Sequence, residues 1–370
     1  MKKLLLIILS LSLISCSVTK YTINVNPIVS NGNVYLPLNT TIQIKYTNKN
    51  LESDISSTVS NFIYKYHKLL DNYNEYENIN NIYSINQIYG TGKKIEVDPI
   101  LKDALYKAIE LAIDTNGYFN PTTGTLFNYY KDKFNDYDTT NSDPSIEEIN
   151  DGLSCIIEPS ELKDYIVIDG NTIEFKQYPK CGSKVEINLG AFSKGYTLES
   201  IKEEINELDT SIMINAGDSS IISIVKDKVE FTSAFRSPYS SSDGTLLFNI
   251  SNKSISSSGS DNQYYYNEDN ILRSHILNPY TGYSNNNYLS ITLMADNRAD
   301  ILDGLTTALF NLDSIEDIEA MINYIEIKYD INIDYAITTN DNGIILTMSE
   351  GFKEYLIDKN SVSYKEIIYR

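Results

Sequence analysis

Ser274-His275-Ile276-Leu277-Asn278-Pro279-Tyr280-Thr281-Gly282-Tyr283 is the stretch on which the reading of this chain turns. His275 is one of two histidines in 370 residues. Imidazole has the side-chain pKa nearest neutrality, so it suits proton transfer. The run from Asn278 to Gly282 reverses the chain sharply, because proline fixes one backbone angle and glycine permits a left-handed one. A turn held this firmly can aim backbone N–H groups and the Thr281 hydroxyl at an anion. Taken alone, the segment also reads as a surface turn beside a half-buried histidine.

Around that turn, apolar spacing marks out the elements. Thr41 to Tyr46 has strand character, and Ile55, Val59, Phe62, Ile63, Tyr66, Leu69 and Leu70 follow helical spacing. His67 then lies beside an amphipathic face, where a structural or solvent role is expected of it. An Asn/Tyr-rich loop is expected from Asn72 to Tyr89. Asp98-Pro99 opens a helix that Asn116-Gly117 ends. Ile166 to Phe175 reads as a hairpin about Asp169-Gly170-Asn171, and Val185 to Ile187 as a short strand. A helix carrying Tyr196, Leu198, Ile201 and Ile205 follows. Further strands are expected at Ser211 to Ile214 and Tyr288 to Met294. Hairpin connections are expected in the Ser-rich region from Ser237 to Ser260. Helices are expected near Ala299–Leu312 and Ile315–Ile325, and strands around the Asn340-Asp341-Asn342-Gly343 turn. Helices and strands mix without strict alternation. That predicts an α+β fold with mixed, largely antiparallel sheets and packed helices.

The chain's first residues read as an address. Lys2 and Lys3 precede an apolar run from Leu4 to Ile14, too short to span a bilayer as a mature helix. Leu13-Ile14-Ser15-Cys16 resembles a bacterial lipobox, which implies cleavage before Cys16 and lipidation of its thiol. The expected organisation is a signal peptide over 1–15, a tether over 16–35 and one catalytic domain over 36–370. The expected location is the extracytoplasmic face of the cell membrane, held by the lipid. Cys155 and Cys181 remain, and an oxidising compartment leaves their pairing open. The formal net charge of -20 argues against nucleic acid as a partner. It also requires a metal cation or backbone dipoles to offset repulsion of any bound phosphate compound.

Three further segments carry chemistry. Asn188-Leu189-Gly190-Ala191-Phe192-Ser193-Lys194-Gly195-Tyr196 joins a strand to a helix through small residues. Free N–H groups at such a helix start favour phosphate, and Lys194 adds a cation. Asp303 and Thr307, four apart, share one helix face. A carboxylate and a hydroxyl are hard oxygen donors of the kind magnesium takes, although a threonine also commonly bonds back along its own helix. Asn215-Ala216-Gly217-Asp218 puts small residues at a strand end, where a flat ligand can approach the backbone.

Phe119-Asn120-Pro121-Thr122-Thr123-Gly124-Thr125-Leu126, the Asn188–Tyr196 segment, Asn215-Ala216-Gly217, Ser257-Ser258-Gly259, His275–Gly282 and Leu302–Leu309 occur in one order. In that order they resemble the ApbE-like FAD:protein FMN transferases, over roughly Leu38 to Leu312. The resemblance implies an enzyme that binds FAD and Mg2+. It would move FMN onto a threonine hydroxyl of an exported or membrane redox protein and release AMP. It implies metal donors at the Ala191 carbonyl, Asp303 and Thr307, and a general base at His275. Phe119 and Asn120 match the flavin site, and Tyr76 and Leu38 match positions near FAD. Asn188, Lys194, Asn215, Gly217 and Thr281 complete the expected FAD-binding set.

The departures are specific. Asn188 replaces the family's aspartate, Asp218 and Ser219 replace a Gly-Asp pair, and Asn120 and Asn278 stand where aspartate is common. Asparagine keeps an acceptor and loses the charge. The same site with water as acceptor would be a Mg-dependent FAD pyrophosphatase giving FMN and AMP. Without catalysis it would be a FAD-binding lipoprotein.

Overall fold

The computed structural model describes residues 18–30, 33–135, 140–217, 219–235, 246–261, 263–358 and 364–370. The expected signal peptide over 1–15, Cys16, Asp218 and residues 236–245 of the Ser-rich region lie outside these. Along the chain run strands β1 (Tyr21–Asn24), β2 (Ile28–Ser30), β3 (Asn33–Tyr35) and β4 (Ile42–Tyr46), then helices α1 (Glu52–Leu70) and α2 (Ile82–Gln87). Next come β5 (Lys94–Glu96), α3 (Pro99–Asp114), α4 (Gly124–Tyr130), α5 (Ile146–Ser154), α6 (Leu162–Tyr165), β6 (Ile166–Asp169) and β7 (Thr172–Phe175). The middle holds α7 (Ser193–Ser200), α8 (Lys202–Asn206), β8 (Ile212–Ala216), β9 (Ser220–Ile224), β10 (Thr232–Phe235), β11 (Leu246–Asn249) and β12 (Ser254–Gly259). Then follow β13 (Tyr264–Tyr266), β14 (Leu272–Ser274), β15 (Ser290–Ala295), α9 (Ala299–Phe310) and α10 (Ile315–Tyr329). The last strands are β16 (Asp334–Asn340), β17 (Ile344–Met348), β18 (Leu356–Asp358) and β19 (Glu366–Tyr369).

A nine-stranded sheet, in the order β1-β4-β8-β9-β12-β15-β16-β17-β19, organises the molecule. Its neighbours pair antiparallel except β17 with β19. Both faces of the central strands are covered, so they read as nearly continuous apolar runs such as Ile212-Met213-Ile214. On one side, Ile55, Val59 and Ile63 of α1 and Leu198 of α7 pack on Ile44, Ile212 and Ile214. On the other, Phe231, Phe248 and Phe352 pack on Met213, Ile221 and Met294. Each such side chain stabilises by roughly 1.5–3 kcal/mol when buried. The third core joins α3, α9 and α10 to β15 and β16. Among the described residues, no helix is long and apolar enough to cross a membrane.

The α+β expectation holds, and the departures have local causes. Residues 21–24, read as tether, form an edge strand on β4, and β2 and β3 pair as a hairpin. The Asn/Tyr-rich loop contains α2, started by a capping box in which Asn81 and Ser84 bond each other's backbone N–H. Val185 to Ile187 is not a strand. Asn86 plays the partner's part, bonding both the N–H and the carbonyl of Ile187. Cys155 and Cys181 form a disulfide.

Candidate functional site

Helices α7 and α9 pack closely against each other beside the site. Gly195 of α7 lies against Ala299 and Asp303 of α9, where an added Cβ would be 2.1 Å from the Ala299 carbonyl oxygen. This approach lets Asp303 cap α7. Its Oδ2 accepts the Gly195 N–H at 2.9 Å, and its Oδ1 accepts the Ser220 hydroxyl at 3.1 Å. The positive end of α7 favours the carboxylate there. Burial nevertheless pushes its pKa up, against the Lys194 charge and the hydrogen bonds. The start of α7 therefore offers fewer free N–H groups to a phosphate than its sequence suggests.

Beside this junction is a cavity of about 470 Å³. Leu38, Phe119, Asn120, Asn188, Ala191, Lys194, Gly217, His275, Asp303 and Thr307 all line it, bringing ten of the expected site residues together. Tyr76, Asn215 and Thr281 are not among its lining residues. The Tyr76 hydroxyl instead donates at 2.8 Å to Asp71, itself on the lining, and the tyrosines on the lining are Tyr73 and Tyr118. Asn215 sits within β8, paired with Gln43 and Ile221. The Thr281 hydroxyl accepts the Tyr283 N–H at 3.3 Å inside its own turn. Thr306, rather than Thr307, bonds back along α9, to the Asp303 carbonyl. The Thr307 hydroxyl faces the cavity 3.5 Å from the Ser258 hydroxyl.

The loop that carries His275 is held at several points. The His275 N–H donates to the Gln263 carbonyl at 3.0 Å, and the Ser274 N–H to the Ser284 hydroxyl at 3.1 Å. Asn278 closes the turn, its Oδ1 accepting the N–H groups of Tyr280 and Thr281. The side chain of Asn311 donates toward the carbonyls of Tyr118, Leu277 and Thr307, three segments of the cavity wall. Gly217 is left-handed (φ 67°) and leaves no room for a Cβ, which would lie 2.0 Å from the Thr40 hydroxyl.

Among the lining residues that sequence reasoning left out are Tyr73, Thr40 and His67. Tyr73 and Thr40 carry no motif of their own. His67, expected in a structural or solvent role, is buried and on the cavity wall. Its only sequence signal was its rarity.

Among the described residues, no three His, Cys, Asp or Glu side chains cluster as a metal cage. The donors present are a buried carboxylate, a hydroxyl and a backbone carbonyl, at Asp303, Thr307 and Ala191. That set suits magnesium, which takes one or two carboxylates and fills its remaining positions with phosphate and water oxygens.

Known proteins agree with this architecture. A protein of Haemophilus influenzae named FAD:protein FMN transferase is 24% identical over 280 residues, 73% of this chain and 75% of that protein. The ApbE protein of Thermotoga maritima superposes with a TM-score of 0.71 at 19% identity, covering 92% of this chain and 100% of that one. The flavin transferase ApbE of Vibrio cholerae does so with a TM-score of 0.69 at 19% identity, covering 91% and 99%. At these identities the two structures bear on the fold, which they share. The profile described as the ApbE family matches residues 38–331, most of the chain, and this protein belongs to that family.

Proposed function

We propose that the protein transfers FMN from FAD to a threonine hydroxyl of an exported or membrane redox protein and releases AMP. Magnesium is the metal in this reading, and a lipid on Cys16 holds the enzyme at the extracytoplasmic membrane face. One observation carries the reading. Ala191, Lys194, His275, Asp303 and Thr307, from three separate stretches of chain, border a single cavity of about 470 Å³. The name of the Haemophilus influenzae relative supports it.

The residues have separable tasks. A threonine hydroxyl is a poor nucleophile until a base takes its proton. His275 takes that proton as the threonine Oγ–P bond forms. The P–O bond to AMP breaks, and AMP leaves with the electron pair. Lys194 offsets charge on the diphosphate in a chain that is otherwise strongly acidic. Tyr118 and Phe119, on the lining, give the flavin an apolar wall. Asp303, Thr307 and the Ala191 carbonyl would hold the metal. When bound, magnesium would neutralise the diphosphate and stabilise the departing phosphate.

Incubation of the full-length protein with FAD, Mg2+ and an acceptor bearing a flavinylation-type threonine tests this by intact mass. One added FMN per acceptor is expected, and no adduct on any such acceptor would refute transfer. FMN and AMP release at a rate indifferent to acceptor would assign hydrolysis instead. FAD binding without turnover under any divalent metal would leave a binding protein. Replacing Cys16→Ser is expected to move the protein from the membrane to the soluble fraction.

A further inference from the structure

The cavity wall at Leu38 is built from two consecutive left-handed residues, neither of them glycine. Leu38 has φ 52° and ψ 28°, and Asn39 has φ 57°. Asparagine visits this region readily, but a leucine held there costs on the order of 1–3 kcal/mol. The surrounding structure must therefore impose the turn.

The buried contact that does so is with His67. The Leu38 N–H donates to His67 Nδ1 at 3.2 Å, across 29 residues of sequence, and both residues are buried. A backbone amide can only donate, so Nδ1 carries the lone pair and the neutral ring keeps its proton on Nε2. Nε2 lies 3.2 Å from the Tyr76 hydroxyl. That hydroxyl donates to Asp71 Oδ2 at 2.8 Å, which leaves its lone pairs to accept from the ring. Asp71 Oδ1 accepts the N–H groups of Tyr73 at 2.7 Å and Asn74 at 3.2 Å. A continuous line of hydrogen bonds thus joins Leu38 to Tyr73, and both residues line the cavity.

We propose that His67 is a positioning residue for FAD: as the Nε2–H tautomer it holds the left-handed Leu38–Asn39 turn against the cavity, while Tyr76 and Asp71 fix that tautomer. The proposal rests on the reading of the cavity as the FAD site. Tyr76 then acts on FAD through His67 rather than by contact.

FAD affinity of the full-length chain, measured by flavin fluorescence in the presence of Mg2+, tests it alongside thermal denaturation. Three variants separate the outcomes. His67→Phe keeps a ring and removes the acceptor. His67→Asn keeps an acceptor, the amide Oδ1, at the same distance along the side chain as Nδ1. Tyr76→Phe removes only the hydroxyl that orients the ring, away from the cavity lining. Loss of a restraint worth one left-handed leucine predicts FAD binding weakened about tenfold in His67→Phe, less than about threefold in His67→Asn, and to an intermediate degree in Tyr76→Phe. Equal weakening in His67→Asn and His67→Phe would overturn the proposal. So would wild-type affinity in His67→Phe with only a lower Tm. If His67→Phe does not fold, wild-type affinity in Tyr76→Phe overturns it and a weakened one supports it. Wild-type protein that binds no FAD would refute the reading of the cavity itself, and this proposal with it.

Discussion

Asn120 and Asn278 use both ends of the amide. Asn120 Oδ1 accepts from the Thr122 N–H and hydroxyl, while its Nδ2 donates to the Ile157 carbonyl at 2.9 Å. Asn278 Nδ2 donates to the Asn311 carbonyl at 3.2 Å. A carboxylate cannot make either donation, so asparagine at these positions is fitted to its neighbours and its lost charge is no sign of decay. Asn120→Asp is expected to lower stability by about 1–3 kcal/mol in urea denaturation, because it sets a carboxylate against a buried carbonyl. At the chemistry itself, Asp303→Asn keeps an acceptor for the Gly195 N–H and removes the charge. We expect Mg2+-dependent turnover to fall roughly 100-fold or more with little change in Tm, as measured by transferase assay and melting. His275→Ala should lower kcat by roughly 100-fold or more while FAD affinity changes little. Equal loss of both would make His275 a structural group. Helix periodicity and a Pro-Gly turn made the places of Asp303, Thr307 and His275 legible in the sequence, and the resemblance to the family, not the local pattern, singled them out as site residues. His67 was not, because its role depends on a backbone turn 29 residues away that no local pattern records.

Elements carry the site through two junctions. At the first, Gly195→Ala would drive a methyl group into the Ala299 carbonyl and Asp303. The expected result is about 1–3 kcal/mol lost in denaturation, with turnover impaired because Asp303 must move. At the second, the β13–β14 hairpin leads directly into His275, and Asp143 pins it. Arg273 bonds both oxygens of Asp143, at 2.7–3.1 Å, and Tyr265 and Asn267 add one bond each. Burial pushes the Asp143 carboxyl up, but these bonds and the Arg273 charge outweigh it and hold the pKa below the usual carboxylate range. A carboxylate with a depressed folded pKa contributes its stability fully above the unfolded pKa and loses it as pH falls through the folded one. Asp143→Asn should therefore cost about 2 kcal/mol at neutral pH, and the gap to wild type should close below about pH 4. Denaturation midpoints across pH check this. Elements with their own start and stop signals, such as α3 after Asp98-Pro99 and the β6–β7 hairpin, were readable. Val185 to Ile187 was not, because what bonds its backbone is the side chain of Asn86, about a hundred residues earlier. Nor was α2, whose capping asparagine reads equally well as a loop former.

At the scale of the whole molecule, one sheet collects strands from residue 21 to residue 369, and only the fold class of that assembly was legible. The β1–β4 edge and the parallel β17–β19 pair are set by contacts between distant segments that share no sequence pattern. The disulfide belongs to the same scale. It ties the end of α5 to the segment leading toward Asn188, across a sequence separation of 26. Chain-entropy reasoning gives such a loop about 3.5 kcal/mol of stabilisation. Reduction should lower the Tm by roughly 5 °C for a chain of this size, as followed by circular dichroism with and without dithiothreitol. In the proposed reaction, FAD and a divalent cation meet where α7 abuts α9. Crystals grown with FAD and Mn2+, and anomalous diffraction at the manganese edge, address it most directly. An anomalous peak is expected within coordination distance of the Asp303 carboxylate and the Thr307 hydroxyl, with the dinucleotide in the cavity beside His275. Flavin bound elsewhere, or manganese absent from those two side chains while FAD occupies the cavity, would contradict it.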